Sequence, residues 1–187
     1  MEAPELGCRT ALNLGSGKAY DRSAVNLDVT PATSPDVVHD LDVVPWPFPD
    51  DRFDRVAAID VLEHLRDPLG AMNEIHRVSR AGSVVRIALP HFSCANAFSD
   101  LTHRSFFGFY SFDNLTGESP HDFYSPRRFR MRRREIVFDR RPVNKLVRRL
   151  ANRRPRAYEQ HWAWMLPAWF LSFELEVVKA GDTAPAR

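Results

Sequence analysis

The chain has 187 residues, 44% of them hydrophobic, which suits one domain with a real core. It has no apolar run of the roughly 18 residues that would span a bilayer, and Met1-Glu2-Ala3-Pro4-Glu5 lacks the basic and apolar stretches of a secretory signal, so a cytoplasmic protein is expected. The net charge of +2 hides an asymmetry: residues 127–156 carry 14 Lys/Arg against 2 Asp/Glu, and the remainder carries 12 against 22. A basic block on an acidic body points to phosphorylated substrates, nucleic acid or a membrane surface, or else to arginines solvated or paired with the chain's own acids.

In chain order, Cys8 comes first. It lies far from Cys94 with no metal-ligand spacing, so both read as free thiols. Ala11-Leu12-Asn13-Leu14 is a short apolar run, long enough for a buried strand and too short for a helix. It stops at Gly15-Ser16-Gly17, a tight turn that a ligand can approach closely. A second strand, Ala24-Val25-Asn26-Leu27, closes on Asp28. A glycine turn after one parallel strand and an acid ending the next describe a nucleoside site, the acid reaching the ribose hydroxyls. The dinucleotide pattern is not met. Position 20 is Tyr20 rather than glycine, and Asp28 follows Gly17 by eleven residues where that fingerprint expects about 20. A pyrophosphate is therefore disfavoured, and an ordinary turn stays open beside the nucleoside reading.

Val37 to Leu41 reads as a third strand ending near Asp40. Pro45-Trp46-Pro47-Phe48-Pro49 is not helical, because proline removes amide donors and restricts its predecessors. Arg55 to Asp60 reads as a fourth strand, again closing on a carboxylate. Asp67-Pro68 starts a helix by N-cap and first-turn proline; Leu69, Met72, Ile75 and Val78 form its apolar stripe, and Gly82 is expected to end it. Ser83 to Leu89 is a fifth strand halted by Pro90. A His-, Asp- and Phe-rich loop from His91 to about Ser125 follows. Residues 128–138 read as another strand, Lys145–Ala151 as a short basic helix, Tyr158–Leu166 as helix, and Trp169–Val178 as a last strand. Strands alternating with helices or crossovers predict a parallel α/β sheet.

Together, Leu12-Asn13-Leu14-Gly15-Ser16-Gly17, Asp28, His39-Asp40-Leu41, Pro47-Phe48-Pro49-Asp50 with Phe53-Asp54, Asp60-Val61-Leu62-Glu63-His64-Leu65, and Glu74 to Val78 with Ala81-Gly82 resemble the class I S-adenosylmethionine-dependent methyltransferases, the small methyltransferase type 11-like kind in particular. The resemblance covers roughly residues 10–90. It implies an α/β, doubly wound, mostly parallel seven-stranded sheet with a reversed last strand at Trp169–Val178, and S-adenosylmethionine as methyl donor. It implies that Gly15, Ser16 and Gly17 border the methionine portion, that Asp28 binds the ribose, that Asp40 and Leu41 flank the adenine, and that Asp60 and His64 lie along the donor pocket. Two departures stand out. Ala19 takes the place of a third loop glycine, and the helix after the loop is reduced to a turn. One sheet face is then under-covered, which predicts a homodimer or partner contact there. The single domain over 1–187 divides into a cofactor-binding half at 10–90 and an acceptor-binding half at 91–180.

The loop after the fifth strand lies where an acceptor would sit. His91 or His103 can serve as a general base. Alternatively, His91, Asp100 and His103, with His121, bind a divalent metal such as zinc, iron or manganese. The plainest alternative is that these side chains only hydrogen-bond the loop to itself and to Arg104. His64 and His76 read as structural. Phe106, Phe107, Phe109, Tyr110 and Phe112 either line an apolar acceptor pocket or pack a lid onto the sheet. Trp162, Trp164 and Trp169 with Arg148, Arg149, Arg153, Arg154 and Arg156 admit a nucleic-acid or membrane surface. The expected activity is methyl transfer to oxygen or nitrogen of a small-molecule or sugar- or lipid-linked acceptor. A non-catalytic module binding an anionic partner and an RNA methyltransferase are the alternatives.

Overall fold

The computed structural model describes residues 6–117, 128–139 and 142–179. Seven strands form one sheet: β1 (Ala11–Leu14), β2 (Ala24–Asp28), β3 (Val37–Val38), β4 (Phe53–Ile59), β5 (Ser79–Pro90), β6 (Arg128–Val137) and β7 (Phe170–Val178). Their order is β3-β2-β1-β4-β5-β7-β6. β1 to β5 run parallel, and β7 is antiparallel to both of its neighbours, so the reversed last strand is present. The order reverses between β1 and β4, and in such sheets the crevice beyond the carboxyl ends at that point takes the ligand. The helices are α1 (Pro68–Val78), α2 (Ala95–Ser99), α3 (Pro142–Arg153) and α4 (Pro155–His161).

The sheet is apolar on one face only. Leu12, Leu14, Val25, Leu27, Val56, Val85, Ile87, Leu171, Phe173 and Leu175 are buried in one cluster with Ala71, Met72, Ile75 and Val78 of α1. On the opposite face Asn13, Arg55, Arg86 and Glu174 line a shallow depression of about 230 Å³. Among the described residues the connection from β1 to β2 carries no helix to cover that face. A polar network stands in its place. Asn26, fully buried on β2, accepts from Asn13 Nδ2 (3.0 Å) and the Asp21 amide (2.8 Å), and its amide donates to Asp36 (2.8 Å). Asp36 in turn holds Arg9 in a two-pronged pair (2.9 and 3.0 Å) and accepts the Tyr20 hydroxyl (2.9 Å).

Several elements differ from expectation, three of them at their ends for a visible reason. α1 ends at Val78, not Gly82: Ser79 is extended and pairs with Phe53, while Gly82 (φ 75) serves the bulge that delays the next pairing to Arg55 and Val84. β3 stops at Val38, because the chain turns at Asp40, whose carboxylate accepts the Asp42 amide at 2.9 Å. α4 ends at His161 rather than Leu166, and residues 162–165 are turn.

Two side chains tie the periphery down. Arg77 of α1 bonds Glu74, Asp50 and the carbonyls of Trp46 and Phe48, fixing the proline-rich loop with Trp46 buried. Asn152 of α3 accepts the Ile136 amide and donates to the Ile136 carbonyl, both at 2.8 Å, so a side chain completes the open edge of β6. Among the described residues no helix is long and apolar enough to cross a membrane. Both cysteines are free, Cys8 exposed and Cys94 buried.

Candidate active site

The carboxyl end of β1 runs into Gly15-Ser16-Gly17, and both glycines have left-handed backbone (φ 58 and 47). A β-carbon on Gly15 would lie 2.4 Å from Val61 Cγ2, so only glycine lets this turn sit against the chain leaving β4. The Gly17 amide donates to Asp28 Oδ2 at 2.7 Å and the Thr30 amide to Oδ1 at 2.9 Å. The acid that ends β2 is thereby held against the glycine turn. The Ser16 hydroxyl is buried and has no hydrogen-bond partner among the described residues. Buried hydroxyls are nearly always paired, so an orphan beside a fixed carboxylate at the switch point fits a ligand rich in donors and acceptors. Leu41, buried, and Asp40, exposed, follow β3.

Beside this turn lies a cleft of about 660 Å³ lined by Asp60, Glu63, His64, Asp100, Leu101 and His103. Asp60 follows the last residue of β4 in left-handed backbone (φ 51), a costly state for a residue with a β-carbon. The short 3₁₀ turn Leu62–His64 then sets Glu63 and His64 side by side. The Glu63 carbonyl accepts the amides of Arg104 (2.8 Å) and Ser105 (3.1 Å), which pins the lid loop carrying His103 over the turn. The His64 and His103 rings meet with centroids 4.6 Å apart. One ligand atom from each of Glu63, His64 and His103 can be chosen so that all lie within 4.8 Å of one another.

The electrostatics follow from this crowding. Burial pushes the Glu63 carboxyl up to about 7, with the charge of Asp60 adding to it. Burial raises Asp60 as well. His64 is lowered, first by burial and then by His103. Hydrogen bonds also assign the proton on each ring. Thr102 Oγ1 donates to Asp100 (2.6 Å), so it accepts from His64 Nδ1 (2.8 Å). His103 Nδ1 donates to the Ala97 carbonyl at 3.1 Å. In the neutral rings both Nε2 atoms therefore keep their lone pairs.

The histidine loop is not gathered as the sequence suggests. His91 is 0% exposed, with Nδ1 on Ser93 Oγ (2.8 Å) and Nε2 facing Glu159 (3.3 Å). It does not line the cleft, so the set His91, Asp100, His103 is not brought together. The Ser93–His91–Glu159 chain is built into packing instead: Ser93 Oγ accepts the Ala168 amide and Glu159 accepts the Phe109 amide, joining the end of β5 to α4 and the lid. Asp100 lines the cleft but acts through Thr102 on His64. His121 lies outside the described residues. The residue that sequence reading passes over is Glu63, although its spacing of three from Asp60 and its place before His64 are visible signals. His76 is structural, bonding the Val178 carbonyl at 2.9 Å.

The aromatic run divides: Phe107, Phe109 and Phe112 are buried, whereas Phe106 and Tyr110 face out. Much of the basic segment is engaged by the chain's own acids. Arg130 and Arg132 pair with Glu176, Arg133 and Arg148 with Glu135, and Arg134 with Asp113.

Residues 5–87 match the family model described as a methyltransferase domain. Among curated proteins no sequence matches the chain. Solved structures share the fold. An S-adenosylmethionine-dependent methyltransferase from Archaeoglobus fulgidus superposes with TM-score 0.63 at 14% identity, covering 91% of this chain and 86% of that one. YcgJ from Bacillus subtilis gives 0.58 at 14% identity, covering 93% and 94%. The complex between the Haloferax volcanii Trm112 methyltransferase activator and a methyltransferase gives 0.59 at 15% identity, covering 91% and 83%. A methyltransferase domain is thus matched over just under half of the chain, and the seven-stranded sheet with its reversed strand is the fold that these S-adenosylmethionine-dependent methyltransferase structures share.

Proposed function

We propose that the chain methylates an oxygen or nitrogen on the polar head of a lipid-linked acceptor. The observation that carries this is the make-up of the cleft. Its wall holds carboxylates and imidazoles together with Leu101, which is fully exposed, and α2, which gives Asn96 and Ser99 to that wall, also carries the exposed Phe98, its ring 4.7 Å from that of Phe106 and 6.4 Å from that of Trp164. A polar reacting end and an apolar tail match that arrangement. The sulfonium of S-adenosylmethionine supplies an electrophilic methyl group. Gly15, Ser16, Gly17 and Asp28 would hold the cofactor's methionine and ribose portions, Asp40 and Leu41 its adenine, and Asp60 and His64 would bound it toward the cleft. Holding the acceptor atom in line at contact distance is the chain's main task, and such alignment is worth about 7–11 kcal/mol of barrier. His103, which lines the cleft and spends its Nδ1 proton on the Ala97 carbonyl, accepts the proton that the acceptor sheds. His91 has no such access.

Arg149, Arg153, Arg154 and Arg156 are exposed, as are Trp162 and Trp164, and Arg153 and Arg154 share a groove with Trp162, so an anionic membrane surface is the setting in which such an acceptor would be met. The test is transfer of radiolabelled methyl groups from S-adenosylmethionine into a cell extract partitioned between butanol and water. Label in the butanol phase is expected, and a Trp164→Ser change should raise KM for that fraction several-fold. Label confined to water-soluble small molecules or to RNA would overturn the acceptor class.

A further inference from the structure

We propose that Glu63, His64 and His103 form a binding site for one divalent first-row transition metal, of the zinc, manganese, iron(II) or cobalt(II) class. Three independent features converge on it. The ligand atoms are already within 4.8 Å of one another across a sequence separation of forty residues, without rearrangement of the fold. Both oxygens of Glu63, a residue only 2% exposed, lack a cationic partner among the described residues, and the carboxyl of Asp60 crowds them at the cleft. A buried carboxylate left unpaired is expensive, and a cation is the partner that removes the expense.

The third feature is the support behind the imidazoles. Metal-bound histidines characteristically give their other ring N–H to an oxygen acceptor, which fixes the tautomer and aims the lone pair. His64 does so through Thr102, itself tied to Asp100, and His103 does so to the Ala97 carbonyl. Both rings are thus set as Nε2 donors. Two imidazole nitrogens and a carboxylate suit first-row transition ions, whereas magnesium and calcium favour all-oxygen sites. Three protein ligands leave positions open toward the cleft, the pattern of catalytic rather than structural metal sites. Asp60, held in left-handed backbone at the same wall, adds a second negative charge.

The inference deepens the proposed function in one respect. An acceptor oxygen bound to the ion would be ionised there, and His103 would position the ion instead of taking the proton. Metal binding itself does not depend on the acceptor assignment. The experiment therefore uses neither cofactor nor acceptor. Chelator-stripped protein is titrated with cobalt(II) by visible absorption and with zinc by calorimetry, magnesium serving as the control ion. One equivalent of cobalt with a d–d band, micromolar or tighter zinc affinity and no response to magnesium are expected. Glu63→Gln, His64→Ala and His103→Ala should each weaken binding at least tenfold, while His161→Ala, on the exposed end of α4, should not. Less than half an equivalent bound to the wild-type protein, or unchanged affinity in the Glu63 and His103 variants, would overturn the site. Should a variant fail to fold, the wild-type stoichiometry decides alone. Methylation of a water-soluble acceptor would refute the lipid-linked reading and leave this result standing.

Discussion

Gly15 shows how a single residue can be required twice, once for its backbone and once for its missing side chain. Its φ of 58 strains any other residue, and the contact with Val61 leaves no room for a methyl group. Gly15→Ala should therefore push the glycine turn away from Asp60 and the cleft, lowering cofactor affinity at least tenfold and stability by about 1–3 kcal/mol; calorimetric titration and thermal melts check both. Division of labour is visible at the same scale. Asp28→Ala should weaken cofactor binding, and His103→Ala should spare it while cutting turnover by about 10²–10⁴-fold. Equal loss of cofactor affinity in the two variants would refute the division. The pH response follows from Glu63 and His64. Glu63 is held up near 7 by burial and then by Asp60, and His64 is lowered by burial. Whether the cluster takes a proton or a metal, it must be deprotonated, so kcat/KM should rise as pH passes from 6 to 8. A flat profile over that range would contradict the assignment.

At the scale of elements, the polar network around Asn26 and Asp36 does the work of an absent helix. Burial alone would raise the Asp36 carboxyl, but the Arg9 guanidinium and the hydrogen bonds from Asn26 outweigh it and hold the group well below the usual carboxylate range. A depressed acid contributes stability above its unfolded pKa of about 3.9, and that contribution is lost as pH falls through the lower folded value. Asp36→Asn should accordingly cost about 2–3 kcal/mol at pH 7 and clearly less near pH 2, as denaturant titrations at the two pH values would show. This network also explains what the sequence does and does not reveal. The strands ending in Asp28 and Asp60, the stripe of α1 and the alternation of β7 are legible because their periodicity and capping are local. The end of α1 is not: Gly82 looks like a helix stop, yet the pairing of Ser79 with Phe53 claims the chain first. His91 and His103 look alike in one loop, and only the packing of α4 through Glu159 separates a buried strut from a residue of the cleft.

Across the whole molecule, a sheet covered on one face raises the question of what covers the other. The missing helix after the glycine turn implies a homodimer or partner contact there, but Arg55, Arg86 and Glu174 stand among small apolar residues such as Ala11 and Ala57 on that face, and charges so placed favour contact with water. Light scattering at micromolar concentration should give the 21.5 kDa monomer; a doubled mass would show the polar face to be an interface. The central claim is that the shortened glycine turn, closed by Asp28 and lacking a third glycine, still forms a working cofactor site. Calorimetric titration of S-adenosylhomocysteine into the purified protein tests it most directly. Micromolar binding with one site per chain, weakened at least tenfold in Asp28→Ala, is the expected result. No heat at millimolar ligand would contradict the account and leave the fold without the chemistry assigned to it.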